Sequence, residues 1–317
     1  MVQNKMKPWK CILLPAWIAL GLLWMLIQLP YTLRIRIGKI LGTLAFLFPT
    51  QAKYTTELNL KLCFPHLTEK ERKTLAKKNF ISLGIALMES AMAWLASKKQ
   101  LQSLYTLHGY EYLQKAFQQG KGILLITPHF TCVELVARFM SLEEDFGIFY
   151  RPHKKPWLAS IQTYFRKRHF VYCIKSDQIK ILLHTLQKNK AIWYAYDIDE
   201  SGKRSVFAPF FGIPAASLTT VTDIARLSGA AIIPMQYFRR DDNTGYEIHC
   251  LPPLEDFPGG NKLHDAARLN SILETMIREK PEQYVWQYKR FKTRPKGEKR
   301  FYYSDNFPPR KYIEKKQ

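Results

Sequence analysis

From about residue 105 onward, short apolar runs alternate with longer stretches of helical periodicity, and this alternation constrains the fold more than any other feature. Short apolar runs predict buried strands, and apolar residues at helical spacing predict helices. Strands that alternate with helices are typical of an α/β fold with a mostly parallel central sheet flanked by helices. The predicted strands are Ile123–Ile126, Gly147–Tyr150, Ala191–Tyr196, Ala230–Met235 and Tyr246–Leu251. The predicted helices are Glu134–Ser141, Trp157–Arg168, Ile179–Lys188, Thr219–Ser228 and Asp265–Glu279.

An uncharged segment near the N-terminus predicts a membrane anchor. No charged residue occurs from Cys11 to Leu33, and an apolar helix of this length can span the roughly 30 Å hydrocarbon core of a bilayer. A cleaved signal peptide is disfavoured because no small-residue cleavage site follows the segment. We therefore expect an N-terminal transmembrane helix, whose orientation stays open because basic residues flank both ends. Arg34, Arg36 and Lys39 alternate with apolar residues and predict a basic amphipathic segment on the membrane surface.

The composition divides the chain into four predicted segments. They are a membrane anchor at residues 1–33, an amphipathic helical region packed on the catalytic domain at residues 34–104, an α/β domain at residues 105–297 and a basic tail at residues 298–317. Thr68 and Glu71 have the spacing of a capping box, in which each side chain binds the other residue's main-chain N–H. We expect Glu89, further along the same helix, to lie at a solvated position.

The charge balance is extreme, with 48 Lys and Arg against 26 Asp and Glu. Such a surface attracts polyanions, which include nucleic acid, anionic lipid, phosphorylated substrates and acidic carrier proteins. Nucleic acid is not expected as a partner, because zinc-finger, RNP and basic-heptad motifs are absent from the sequence. The sequence also lacks a P-loop, a G-x-G-x-x-G motif and a G-x-S-x-G motif, which argues against a kinase, a dehydrogenase or a serine hydrolase. Five scattered cysteines without a C-x-x-C motif fit a reducing compartment.

His129 follows the first predicted strand almost directly, and Glu134 lies five residues further on. Ligands of parallel sheets bind beyond the carboxyl ends of the strands, and imidazole has a pKa suited to a general base. A contact between His129 and Glu134 requires the histidine in a loop and the glutamate in the first helical turn. A glutamate at that position also suits the helix dipole without any catalytic role. The alternative interpretation of His129 is a partly buried histidine at a helix start whose hydrogen bonds are satisfied within the fold. A zinc site is disfavoured because the spacing is not H-E-x-x-H.

Two further groups of charged residues follow predicted strands. Arg151 comes directly after the second strand and can bind a phosphate or carboxylate through two N–H groups. Three acids, Asp197, Asp199 and Glu200, follow the third strand. They could bind Mg²⁺, or they could hold the neighbouring Lys203 and Arg204 through ion pairs, which is the interpretation we favour.

Several blocks along the chain match one known family. The stretch from His129 to Glu134 fits the H-x-x-x-x-(D/E) signature of glycerolipid-type acyltransferases. The other matching blocks are Gly122–Leu125, Tyr150–Pro152, Trp193–Asp199, Ser205–Phe207, Gly229–Ala230, Ile233–Pro234, Leu251–Pro253, Pro281–Tyr284 and Arg290–Pro295. Together they resemble the late acyltransferases of lipid A biosynthesis, the lauroyl and myristoyl enzymes of Gram-negative bacteria in the lysophospholipid acyltransferase superfamily. The likeness runs from the N-terminal segment to about Gly297.

The resemblance implies transfer of a fatty acyl chain, lauroyl or similar, from acyl carrier protein to a hydroxyl of the Kdo-bearing lipid A precursor. It implies an enzyme of the inner membrane that contacts membrane lipids and whose catalytic domain faces the cytoplasm. His129 would be the general base and Glu134 its orienting partner, and no metal or cofactor is implied. The implied substrate-binding residues are Arg151, Asp197, Asp199, Lys203, Arg204 and Ser205.

Further expectations concern the transition state and the acceptor substrate. We expect main-chain N–H groups at the helix start after His129 to bind the developing oxyanion. The same fold could instead act on lysophospholipid or another glycolipid. A third alternative is a non-catalytic protein that binds membrane lipid.

Overall fold

The computed structural model of the chain describes residues 21–153, 155–200, 202 and 204–302. A seven-stranded sheet forms its centre, in the order β1-β9-β8-β2-β5-β3-β4. Its strands are β1 (Tyr105–His108), β2 (Ile123–Thr127), β3 (Phe146–Tyr150), β4 (Tyr172–Lys175), β5 (Ala191–Ala195), β8 (Ala231–Arg239) and β9 (Tyr246–Cys250). Neighbouring strands are parallel except for the antiparallel pair of β8 and β9. A separate antiparallel hairpin joins β6 (Ser205–Phe210) to β7 (Ile213–Leu218).

Helices flank this sheet. They are α1, described over residues 21–27, α2 (Tyr31–Leu47), α3 (Gln51–Cys63), α4 (Glu69–Leu95), α5 (Lys98–Leu101), α6 (Tyr110–Gln118), α7 (Val133–Glu143), α8 (Pro156–His169), α9 (Ile179–Gln187), α10 (Thr220–Ser228) and α11 (Lys262–Glu279). One continuous hydrophobic core contains side chains from the early helices and from the sheet. The boundaries of the four predicted segments stay predictions.

The predicted α/β fold with a mostly parallel sheet is confirmed, and so are the five predicted strands and five predicted helices. The predicted capping box is also present, since Thr68 and Glu71 bind each other's main-chain N–H groups at the start of α4. No pattern in the sequence predicts β1 and β4 as strands. These are four-residue strands at the two edges of the sheet, where one side of the strand is solvated and the apolar pattern is weak.

The predicted transmembrane helix is not supported by the described residues. Residues 11–20 of that segment lie outside them, and α1 ends at residue 27. Pro30 is the N-cap of α2, so Tyr31–Leu33 belong to a second helix. Among the described residues, no helix has both the length and the hydrophobicity to cross a bilayer.

The start of α2 differs from the predicted amphipathic segment in one respect. Arg36 and Lys39 are exposed, as that prediction requires. Arg34 is buried instead, with its guanidinium over the ring of Tyr31. The reason is that α2 packs closely on α4, which covers one side of α2.

Glycines bring α2 and α4 into backbone contact. A Cβ added at Gly42 would lie 2.2 Å from the carbonyl oxygen of Phe80, and one added at Gly84 would lie 2.2 Å from that of Gly38. Side chains larger than hydrogen would therefore push the helices apart. This close approach fixes α2 to the helix that supports the centre of the molecule.

Glu89 contradicts the expectation of a solvated position. Glu89 is 1 % exposed, and its carboxylate lies 2.7 Å from Nη2 of Arg239 on β8. The hydroxyl of Tyr246 on β9 donates to the same carboxylate at 2.6 Å. Burial by itself would lower the pKa of Arg239, but attraction to Glu89 and Tyr246 raises it above its ordinary value. The helical periodicity could not reveal this, because the partner is 150 residues away along the chain.

We predict that Glu89→Leu destabilises the chain by about 3–5 kcal/mol, because it leaves the charge of Arg239 buried without a partner. The double variant Glu89→Leu/Arg239→Met removes both charges and is expected to recover most of that loss. Urea unfolding of the purified, detergent-solubilised chain measures both free energies. A double variant as unstable as the single one would show that the buried ion pair is not the source of the effect.

Candidate active site

The pairing of β2 with β5 brings two sequence-predicted residues together. These central strands are parallel neighbours, with Thr127 opposite Ala195 at their carboxyl ends. His129 lies two residues beyond the end of β2, and Asp197 lies two residues beyond the end of β5. Both side chains therefore emerge at the edge of the sheet where ligands of such folds bind.

Asp197 holds His129 through two contacts. The Nδ1 atom of the imidazole contacts Oδ1 of the carboxylate, and the main-chain N–H of His129 donates to Oδ2 at 3.0 Å. The Asp197 side chain is 0 % exposed, whereas that of His129 is 21 % exposed. When Nδ1–H donates to the carboxylate, Nε2 carries the lone pair and can accept a proton.

The charge of Asp197 follows from its surroundings. Burial by itself would raise the pKa of the carboxyl group. Attraction to His129 and the hydrogen bonds from His129 outweigh that effect and hold the pKa of Asp197 below its ordinary value. Asp197 is therefore an anion at neutral pH, suited to stabilise a positive imidazolium.

Main-chain contacts fix the loop that carries His129. The carbonyl oxygen of His129 accepts from the N–H of Val285 at 2.9 Å, and the N–H of Thr131 donates to the carbonyl oxygen of Gln283 at 2.7 Å. The hydroxyl of Tyr237 on β8 donates to the carbonyl oxygen of Pro128 at 2.7 Å. Contacts within the chain thus hold the histidine on both sides of its Cα.

The expected pairing of His129 with Glu134 is wrong in this structure. Glu134 lies in the first turn of α7 and forms an ion pair with Arg166 of α8. The guanidinium of Arg166 also lies over the ring of Tyr150, 4.7 Å from its centroid. The sequence pattern misled because Asp197, 68 residues away along the chain, occupies the Nδ1 side of the imidazole.

Tyr288 lies beside His129, and no sequence pattern predicts it as a site residue. Its ring meets that of His129 edge-on, with 5.3 Å between ring centroids. Burial raises the pKa of Tyr288, the charges of Asp197 and Glu134 add to the rise, and Arg166 opposes it. Arg166 was missed for a similar reason, since a single arginine in a strongly basic chain carries no distinguishing pattern.

Four main-chain N–H groups in the loop around His129 already have acceptors within the chain. The N–H groups of Phe130, Thr131 and Val133 donate to the carbonyl oxygens of Pro128, Gln283 and Phe130 respectively. The N–H of His129 donates to Asp197. These four groups are therefore not free to bind an oxyanion, and the expectation of main-chain donors at this helix start stays a prediction for its other N–H groups.

The acids after β5 serve as anchors. Asp199 accepts from the N–H of Thr293 at 2.9 Å and from its hydroxyl at 2.7 Å. Glu200 lies 3.4 Å from Arg151, and both side chains are largely exposed. The contacts described for the three acids thus involve His129, Thr293 and Arg151, and the favoured ion pair with Arg204 does not occur among the residues that the structure describes.

The remaining sequence-predicted residues lie around the start of β6. Lys203 lies outside the described residues. The side chain of Arg204 is exposed, and its carbonyl oxygen accepts from the N–H of Thr219 at 2.9 Å. The hydroxyl of Ser205 donates to the carbonyl oxygen of Gly202 at 3.0 Å. Their role in substrate binding, like that of Arg151, stays a prediction.

The arrangement is a carboxylate-held histidine whose second nitrogen can take a proton at the ligand-binding edge of the sheet. Such a pair can activate a hydroxyl group for attack on an acyl carbonyl. The site therefore suits acyl transfer.

Comparison with known proteins agrees with this chemistry. Residues 5–293 match the family described as bacterial lipid A biosynthesis acyltransferase. The chain is 37 % identical over 282 residues to the lipid A biosynthesis lauroyltransferase of Escherichia coli K12, covering 89 % of this chain and 92 % of the relative. It is 36 % identical over 287 residues to the palmitoleoyltransferase of the same organism, covering 90 % and 94 %. Identity to that organism's myristoyltransferase is 23 % over 265 residues, covering 83 % and 81 %.

The family match covers most of the chain, and two relatives are more than one third identical to it. The chain belongs to the bacterial lipid A biosynthesis acyltransferase family and is an acyltransferase.

Proposed function

We propose that this enzyme transfers a fatty acyl chain from acyl carrier protein to a hydroxyl group of the Kdo-bearing lipid A precursor, with His129 as general base. The observation that carries the proposal is the contact of the His129 imidazole with the buried carboxylate of Asp197 at the carboxyl ends of β2 and β5. The lipid A acceptor is supported by the family match and by the names of the relatives. The net charge of +22 suits an acidic carrier and a phosphorylated lipid.

The proton moves through Nε2 of His129. This atom accepts the proton of the acceptor hydroxyl as the oxygen attacks the thioester carbonyl, and the carbon–sulfur bond then breaks. The protonated imidazole returns the proton to the departing thiolate, so that the products are an ester and a free carrier thiol. Asp197 keeps Nδ1–H oriented and stabilises the positive charge that His129 holds between the two transfers.

Glu134 has a different role in this proposal. Its carboxylate holds Arg166 beside Tyr150, on the side of the site where Tyr288 contacts His129. A positive guanidinium there favours the negative charge that develops on the carbonyl oxygen. Glu134 is thus a positioning residue for Arg166, whereas Asp197 orients the base.

We also propose that the enzyme acts at the cytoplasmic face of the inner membrane. The described part of α1 and the outer side of α2 expose large apolar side chains to their surroundings, at Leu22, Trp24, Met25, Ile40, Leu44 and Leu47. Arg36 and Lys39 are exposed on the same helix and suit anionic lipid headgroups. The four cysteines among the described residues are free thiols, in keeping with a reducing compartment.

The length of the acyl chain is not decided by overall similarity. The lauroyltransferase and the palmitoleoyltransferase are 37 % and 36 % identical to this chain. Overall identity therefore does not separate these two acyl specificities for this chain.

We predict that the purified enzyme acylates the Kdo-bearing lipid A precursor when it is offered a panel of acyl-carrier thioesters, and that lysophospholipid is not acylated. Mass spectrometry of the products identifies both the acceptor and the preferred chain. His129→Ala serves as the inactive control, with kcat expected to fall about 10²–10⁴-fold. Preferential acylation of lysophospholipid would overturn the proposed acceptor, and a fully active His129→Ala variant would overturn the proposed base.

We predict different kinetic consequences for the two carboxylates. Asp197→Asn leaves a neutral partner at Nδ1 and is expected to lower kcat by at least about 100-fold, within the range for general-base catalysis. Glu134→Gln is expected to lower kcat less, because the amide can still accept a hydrogen bond from Arg166. Steady-state kinetics of both variants check this order. A larger loss for Glu134→Gln than for Asp197→Asn would return the orienting role to Glu134.

We predict that the exposed apolar side of α2 contributes to membrane attachment. Each large apolar side chain contributes roughly 1.5–3 kcal/mol when it is fully buried in an apolar medium. The triple variant Ile40→Ser/Leu44→Ser/Leu47→Ser should therefore raise the fraction of enzyme that alkaline carbonate extracts from membranes several-fold. The matched control is Ile181→Ser/Leu227→Ser, which alters exposed apolar residues on other helices. Equal extraction of the triple variant and the control would contradict membrane contact by α2.

A further inference from the structure

Three potential metal ligands meet on the strands at one side of the sheet, away from His129. His108 ends β1, and Glu247 and His249 lie on β9. The parallel register places His108 directly opposite His249 and Thr106 opposite Glu247. Because residues two apart on a strand share a face, all three side chains project from the same face of the β1–β9 pair. Strands β9 and β8 separate β1 from β2, which carries the catalytic histidine.

The donor atoms of this cluster are close enough to share one ion. Nε2 of His108 lies 2.9 Å from Oε2 of Glu247, and Nε2 of His249 lies 4.0 Å from the same oxygen. One ligand atom from each residue lies within 4.8 Å of those of the other two, and no other such group occurs in the described part of the chain. Tetrahedral Zn²⁺ with bonds of about 2.0–2.1 Å separates its donors by about 3.3 Å. The distances from Oε2 of Glu247 to the two imidazole nitrogens, 2.9 Å and 4.0 Å, lie below and above that value.

We propose that His108, Glu247 and His249 bind a single Zn²⁺ ion that links the edge strand β1 to β9. Two imidazoles and one carboxylate favour zinc and similar divalent ions of intermediate softness. Mg²⁺ and Ca²⁺ prefer sites built from oxygen ligands alone. Water would complete the coordination on the solvent side, where the side chain of His108 is 49 % exposed.

A contact with Arg240 orients the carboxylate of Glu247. Arg240 contacts Oε1 of Glu247 through its Nε atom, which leaves Oε2 directed at the imidazoles. A hydrogen-bonded second oxygen is typical of metal-binding carboxylates, since it fixes their orientation.

One imidazole of the cluster must turn before both rings can bind the same metal ion. The two rings are stacked, with 4.6 Å between centroids and 11° between planes. A metal lies in the plane of each imidazole that binds it, so one ring must turn out of the stack. His108 has the room to do so because half of its side chain faces solvent.

Zinc titration of the purified full-length enzyme tests the proposal. Isothermal titration calorimetry of the metal-free protein with ZnCl₂ should show one site per chain, and zinc should raise the thermal unfolding midpoint because it binds the folded state. Both His108→Ala and His249→Ala should weaken binding at least tenfold and remove the thermal shift. His264→Ala is the matched control, because His264 is an exposed histidine at the opposite end of α11 from Glu279.

Two results would overturn the proposal. One is a wild-type enzyme without a stoichiometric zinc site, in which case His108 and Glu247 form only an ion pair. The other is a site that both variants retain with wild-type affinity, which would place the metal elsewhere in the chain. Unfolding midpoints measured without metal establish that the variants are folded, so that a loss of binding reports on the ligands themselves.

Discussion

The parallel pairing of β2 with β5 is the constraint on which the active site depends. Both strands are buried in the middle of the sheet, with Thr127 opposite Ala195. Because parallel neighbours end at the same edge, the residues that follow them are brought together although 68 positions separate His129 from Asp197. A slip of one residue in this register would turn one of the two side chains to the other face of the sheet. The position of the base is therefore a property of the sheet as a whole.

The segment after α11 completes the site by covering the loop that carries His129. The side-chain amide of Asn59 donates to the carbonyl oxygens of Trp286 and Tyr288, and that of Asn79 donates to those of Glu282 and Tyr284. These amides extend from helices α3 and α4 and bind main-chain carbonyl groups of this segment. The early helices thus hold the segment that in turn holds His129. Their contribution to catalysis is structural, although they contain none of the reacting groups.

The charge of the surface depends on which charged side chains are buried. Several acidic side chains are used inside the molecule: Glu89 with Arg239, Glu134 with Arg166, Asp197 with His129 and Asp199 with Thr293. Many of the lysines and arginines remain at the surface. Among the described residues, three acids (Glu89, Asp197 and Asp265) and three arginines (Arg34, Arg239 and Arg290) are buried. The surface therefore keeps the basic balance of the composition, which suits an enzyme whose proposed donor and acceptor are both anionic. The same internal use of acids explains why acidic residues after β5 looked like ligands in the sequence and are anchors in the structure.

The sequence by itself determined the class of fold, the order of the central strands along the chain, the place of His129 beyond β2 and the family. Each of these follows from local periodicity or from short motifs, which reflect whether a stretch of chain is buried as a strand or as a helix. Only the tertiary structure decided the partners of the charged groups. Asp197 took the place predicted for Glu134, Glu89 proved to be buried, and His108 came to lie beside His249. The physical reason is that a local pattern reports which face of an element is buried, whereas the partner of a charge depends on how distant strands and helices pair.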